Sequence, residues 1–243
     1  MPLLKVPAAI APWGDYPSAV QPQVKIALAR DRAFSFYYQD NLELLEQLGA
    51  TLIPWSPLVD KKLPKGVRGI YLGGGFPEVF AQNLAANYPA RQAVKNAIQQ
   101  GMPTYAECGG LMYLCENIVD FTGDVWPMVG ILPTNTLMSK NLVIGYRQAI
   151  ALHNTPITQL GQTVWGHEFH HSELTRLSPK PLWNIKGIKH SQPHQFTHGE
   201  GWQRGNLHAS YIHLHFGTNT TSLQRFLNCC RMFTNSRSPD QYL

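Results

Sequence analysis

One stretch restricts what this chain can become more than any other: Thr104-Tyr105-Ala106-Glu107-Cys108-Gly109-Gly110-Leu111-Met112-Tyr113. It reads as a short buried strand, a sharp turn carrying one cysteine, and the start of a helix, which is the repeating unit of an α/β fold. A side chain at such a turn stands clear of its backbone only if its neighbours are small, and Gly109 and Gly110 supply that room. The helix start places unpaired N–H groups and positive dipole charge beside the sulfur, favouring thiolate over thiol and offering donors to an oxyanion. Cys108 is therefore the candidate nucleophile. The competing reading is a buried structural cysteine beside a glycine turn.

The signals ahead of Cys108 alternate in the same way. Pro2, Pro7, Pro12, Pro17 and Pro22 mark residues 1–24 as a linker or irregular arm, and order is expected over 25–233. Lys25 to Arg30 is a compact apolar strand; Asp40 to Leu48 places Leu42, Leu45 and Leu48 on one helical face closed by Gly49. Thr51 to Trp55 and Gly69 to Leu72 read as strands, the latter running straight into Gly73, Gly74 and Gly75, and Ala90 to Gln100 as a helix ending at Gly101. Such alternation predicts a parallel sheet with helices on both faces and ligands gathered at the carboxyl ends of the strands. Beyond Cys108 the pattern turns β-like at Leu142 to Ile150, Thr163 to Ser172 and Ala209 to Phe216. A helix near Thr221 to Phe233 and a frayed tail over 234–243 complete the chain. No second domain is required.

Composition narrows the function classes. The formal charge of +5 would suit a polyanion, but the 20 Lys and Arg are scattered, so a nucleic-acid partner is not expected and a small anionic substrate fits as well. Four cysteines without a framework of spacings indicate a reducing compartment. No apolar run reaches the roughly 18 residues of a membrane span, and a cytoplasmic protein without membrane attachment is expected.

The glycine run at 73–75 cannot be a phosphate loop of the Gly-Lys type, because that dipeptide occurs nowhere in the chain. It is either a tight turn or a place where backbone N–H groups approach a developing oxyanion. A cysteine site also needs an imidazole to take the thiol proton and return it. Among the ten histidines, His213 and His215 alternate on Ser210 to Phe216, and period two would place both on one face, one as base and the other beside it. His167, His170 and His171, with Glu168, resemble a metal cluster, yet their spacing matches no common zinc motif and no metal is expected.

These residues carry a resemblance. The runs ALARDRAFSFYYQDNLELLEQLGA, YLGGGFPEVF, YAECGGLMYL, GHEFHHS and ASYIHLHF, in that order, resemble the carboxyl-terminal half of the cobyrinic acid a,c-diamide synthase family. The resemblance implies a class I-type glutamine amidotransferase domain with a flavodoxin-like three-layer sandwich and a mostly parallel central sheet. It implies that Cys108 attacks the side-chain amide of glutamine, that His213 is the base, and that Gly74, Gly75 and the Gly109 N–H form the oxyanion region. Ammonia would pass to an amino-terminal, ATP- and magnesium-dependent half, in cis or trans, which handles the corrin carboxylates. This chain itself would need no cofactor, and a homodimer stays open.

His215 stands where related amidotransferases carry the acidic end of a triad. A Cys-His dyad is therefore preferred, with Glu168 from a neighbouring strand as the alternative orienter. Other readings of the chain are a related tetrapyrrole diamide synthase, a cysteine hydrolase on the same scaffold, or a non-catalytic interaction module.

Overall fold

The computed structural model describes residues 23–189, 192–218 and 220–234. All of the arm expected over 1–24 but its last two residues, and all of the tail expected over 234–243 but its first, lie outside the described residues; Val24 already opens the first strand. In chain order the elements are β1 (Val24–Ala29), α1 (Gln39–Gln47), β2 (Ala50–Trp55), β3 (Gly69–Leu72), α2 (Ala81–Ala86), α3 (Tyr88–Gln99), β4 (Thr104–Glu107) and α4 (Gly109–Leu114). They continue with β5 (Asn117–Val119), β6 (Val125–Pro127), β7 (Asn135–Ala151), β8 (Thr163–Leu174), β9 (Pro181–Lys189), β10 (Gln192–Arg204), β11 (Leu207–Ser210), β12 (His213–Leu214) and α5 (Thr220–Met232).

Five strands in the order β2-β1-β3-β4-β11 pair in parallel and form the centre of the sheet. Both faces are covered, so side chains alternate between two apolar layers. In β1, Val24, Ile26 and Leu28 pack with Leu42 and Leu45 of α1 and Leu223 and Phe226 of α5, whereas Ala27 and Ala29 pack with Val94 of α3 and Leu111 of α4. A slip of one residue would exchange these sets, and each buried aliphatic is worth on the order of 1.5–3 kcal/mol, so register is firmly held. The result is the three-layer, flavodoxin-like α/β sandwich expected from sequence. Gly49, at φ 94°, closes α1 as its position suggested, and α3 starts at Tyr88, two residues ahead of the expected helix.

The sheet then continues in an antiparallel arm, β11-β10-β9-β7-β8-β12. Here the sequence reading was too short. The strand expected over Leu142 to Ile150 is the end of the 17-residue β7, whose register against β8 shifts between Met138 and Val143. The expected single strand Ala209 to Phe216 is two short ones, interrupted at Tyr211 and Ile212, so β12 ends at Leu214. No helix among the described residues is long and apolar enough to cross a membrane.

Candidate active site

Cys108 sits between β4 and α4 at φ 47°, ψ −104°, and it is the only non-glycine with positive φ among the described residues. L-residues occupy this region at a cost of roughly 1–3 kcal/mol, and they persist there only where surrounding bonds impose it. Here the Cys108 N–H donates to the Ser210 carbonyl of β11 at 2.8 Å, and its own carbonyl accepts from Met112 at 3.0 Å. The neighbouring glycines are needed for close approach: a Cβ on Gly110 would lie 2.3 Å from the Leu72 carbonyl oxygen, and one on Gly109 would lie 2.9 Å from Pro77 Cδ.

The sulfur is 5% exposed and lies 3.8 Å from the Phe169 carbonyl oxygen of β8. Burial pushes its pKa up to about 12; the Gly109 N–H pulls the other way, and Glu78, Glu107 and Glu168 add to the rise. The N–H at the helix start thus favours thiolate, as expected, but burial is the larger effect. Without substrate, burial and carboxylates outweigh the short helix, and Cys108 holds its proton.

His213 shares a pocket of about 500 Å³ with Cys108, Gly75, His167 and Glu168. Its ring stacks on His167, centres 4.9 Å apart and planes 19° from parallel, and the edge of Phe36 approaches at 4.9 Å. Burial first, then His167 and His170, lower its pKa to about 3 against the pull of Glu168. A neutral imidazole is a proton acceptor, as a base must be. Its Nδ1 is buried without a hydrogen-bond partner. His167 is itself tied at Nδ1 to the Tyr38 hydroxyl, 3.0 Å away.

Other expected residues are placed differently. His215 is not beside His213: with β12 ending at Leu214, it is 45% exposed and pairs through Nε2 with Asp40 at 3.1 Å. Glu168 lines the pocket but pairs with the Arg147 Nε at 2.5 Å, both buried, instead of orienting His213. Burial opposes its charge, yet His170 and Arg147 outweigh burial and hold it below the ordinary carboxylate value.

Gly74 exchanges both backbone hydrogen bonds with Phe36, each 3.1 Å, so its N–H is not free for an oxyanion. Its smallness matters elsewhere, since a Cβ there would lie 2.6 Å from His213 Cε1. The Gly75 N–H has no acceptor among the described residues and lies 3.2 Å from where a Gly109 Cβ would be. Of the three glycines expected to form an oxyanion region, Gly75 and Gly109 remain candidates. Among the described residues no group of His, Cys, Asp or Glu is placed to hold a metal ion.

Residues 25–221 match the model of the CobB/CobQ-like glutamine amidotransferase domain. The chain belongs to this family. The cobyrinate a,c-diamide synthase of a Synechococcus strain is 52% identical over 216 residues, covering 89% of this chain and 46% of that protein. The Synechocystis protein of the same name is 41% identical over 241 residues, covering 98% and 49%. This amidotransferase domain thus spans about half the length of the curated relatives it matches. The structure of PurLQS from Thermotoga maritima superposes with a TM-score of 0.56 at 16% identity, covering 85% of this chain and 98% of that one, a likeness of fold.

Three features of the amidotransferase site escaped the sequence reading. Phe36 packs on His213 and Tyr38 on His167, and no local pattern announces either aromatic; His167, which the sequence offered only as part of a metal-like cluster, is the ring stacked on His213. Arg147 pairs across β7 and β8, where only the register reveals it. Glu107 did leave a signal, a carboxylate inside the apolar run before Cys108. It is buried, accepts from the Leu214 N–H at 2.9 Å, the Tyr71 hydroxyl at 3.1 Å and the Tyr105 hydroxyl, and burial raises its pKa to about 7.

Proposed function

We propose that this domain is the glutaminase half of an ATP-dependent cobyrinate a,c-diamide synthase, working in the cytoplasm. The observation that carries the reading is the convergence in one pocket of a sulfur on a strained elbow, a neutral buried imidazole and the unclaimed Gly75 amide. Glutamine enters with its side-chain amide carbon against Sγ. The Cys108 proton passes to His213 as the S–C bond forms, and the carbonyl oxygen, now negative, faces the N–H groups of Gly75 and Gly109. The imidazolium returns the proton to the amide nitrogen, the C–N bond breaks, and ammonia leaves a thioester on Cys108. Water, deprotonated by His213, hydrolyses the thioester to glutamate and restores the thiol. The dyad suffices for these transfers; Glu168, anionic in the pocket wall beside Arg147, is suited to the ammonium end of the amino acid.

The ammonia goes to a second half that activates corrin carboxylates with ATP and magnesium. The relatives' name and their twofold length support this partner. So does the pocket mouth, where Phe36, Phe76, Ile144, Tyr146 and Phe169 are all more than 40% exposed and form an apolar collar that a partner would cover.

The test is mass spectrometry after incubation with a glutamine-like diazo ketone. One adduct on Cys108, suppressed by glutamine and absent in Cys108→Ser, is expected. No adduct, alone or with the ATP-dependent partner added, overturns the reading.

A further inference from the structure

Cys108 follows β4 and His213 lies in β12, and these two strands do not pair with each other. Along the hydrogen-bonded ladder, β11, β10, β9, β7 and β8 stand between β4 and β12; along the chain, only Tyr211 and Ile212, which belong to neither strand, join His213 to Ser210, the residue of β11 paired with Glu107. β12 is itself only two residues long and pairs only through His213 with His167 and Leu214 with Gly166. One side chain spans from the end of β4 to β12 directly. Glu107, the residue before Cys108, accepts at Oε1 from the N–H of Leu214, the residue after His213. The Leu214 carbonyl is claimed as well, by Asn41 Nδ2 at 2.8 Å, so both polar groups of that residue are clamped by buried side chains.

Glu107 is in turn fixed by the Tyr71 and Tyr105 hydroxyls from β3 and β4. An apolar residue would fill this core position without the desolvation that a carboxylate requires. A carboxylate there is worth its burial only if its hydrogen bonds hold something that packing cannot.

We infer that Glu107 is a positioning residue for glutamine hydrolysis, holding the Leu214 peptide and through it the register of the His213 imidazole against the Cys108 sulfur. The inference rests on the glutaminase reading above and adds a residue that never touches substrate. Because the contact it makes is a single N–H···O bond, an amide oxygen at the same place should serve. Glu107→Gln keeps the acceptor for Leu214, and the tyrosine hydroxyls can turn to suit an amide. Glu107→Asp, one methylene shorter, keeps the carboxyl group and loses the reach.

The experiment compares the rates at which the diazo ketone labels Cys108 in wild type, Glu107→Ala, Glu107→Gln and Glu107→Asp. Val94→Ala, a cavity under α3 at a residue that does not line the pocket, serves as a control for lost stability, with melting temperatures recorded throughout. Labelling in Glu107→Ala and Glu107→Asp is expected to fall about tenfold or more, and to stay within about threefold of wild type in Glu107→Gln and Val94→Ala. Alkylation by iodoacetamide at about pH 10, which needs no imidazole, should change little in any folded variant. Should Glu107→Ala fail to fold, the Gln against Asp comparison decides alone. Equal rates in Gln and Asp, or a wild-type rate in folded Glu107→Ala, overturn the inference while leaving the glutaminase reading intact. A wild type that takes no label, with or without the partner half, overturns both.

Discussion

The imidazole of His167 lies stacked on that of His213, centres 4.9 Å apart, while His215 turns outward to Asp40. His213 and His215, two positions apart, therefore have unrelated surroundings. Replacing His213 by Asn should lower glutamine hydrolysis by about 10²–10⁴-fold, the usual worth of a general base. His215→Ala should leave it within about threefold, since an exposed pair contributes little. Ammonia release by the two variants checks the ranking, and the reverse order would assign the base to the wrong imidazole.

The two glycines before α2 should fail in different ways. Alanine at Gly74 puts a Cβ 2.6 Å from His213 Cε1, so turnover should drop by about 10²-fold while melting changes only slightly. Alanine at Gly75 meets the Ala33 carbonyl oxygen at 2.2 Å with φ at +151°, and should destabilise by roughly 2 kcal/mol or more. Denaturant melts beside kinetics separate them.

Strain at Cys108 can be read from a pair of inactive variants. Alanine-to-glycine changes ordinarily destabilise, by about 1 kcal/mol within regular elements. At φ 47° the order should invert, with Cys108→Gly at least as stable as Cys108→Ala. A clearly more stable alanine variant would show that the elbow is unstrained.

The free thiol should titrate late. With its pKa pushed up to about 12, its reaction with iodoacetamide should rise about tenfold per pH unit from neutrality to roughly pH 10. A plateau near pH 7 would reveal a resting thiolate–imidazolium pair instead.

Global stability should peak in mild acid. Glu107 and Glu200, ordinarily near 4.5, are raised by burial to about 7 and about 8, so their contribution is complete below 4.5 and is lost as pH rises to 8. His208 and His213, lowered from 6.5 to about 3, act oppositely: the unfolded chain takes up their protons first, and stability falls as pH drops from 6.5 toward 3. The two trends offset each other between 4.5 and 6.5. Melting temperature should therefore decline from pH 6.5 to 8, and Glu200→Gln should remove much of that decline. A flat profile over this range would contradict the burial of both carboxylates.

The parallel half was legible because its signals are local. Leu42 and Leu45 fall on one helical face, Gly49 follows at the cap, and Ile70 to Leu72 is apolar throughout, as a strand buried on both faces must be. In the antiparallel arm β8 and parts of β7, β11 and β12 were legible, but β9 and β10 were not, because they carry Pro181, Gly187, Gly199 and Gly201 within their length and mimic turns. Cys108 and His213 stood out by residue type, and the structure brings them to one pocket. The commitments of Gly74 and Glu168, by contrast, lie in bonds to Phe36 and Arg147 that no spacing in the chain encodes.

The bond from Leu214 to Glu107 joins residues 107 positions apart, with the whole antiparallel arm between them. During synthesis, the elbow leaves the ribosome long before β12 exists, and contacts of such sequence separation close late in folding. A nascent or truncated chain that lacks β12 therefore carries Cys108 without His213. On the glutaminase reading, chains that stop short of that strand are inert by construction.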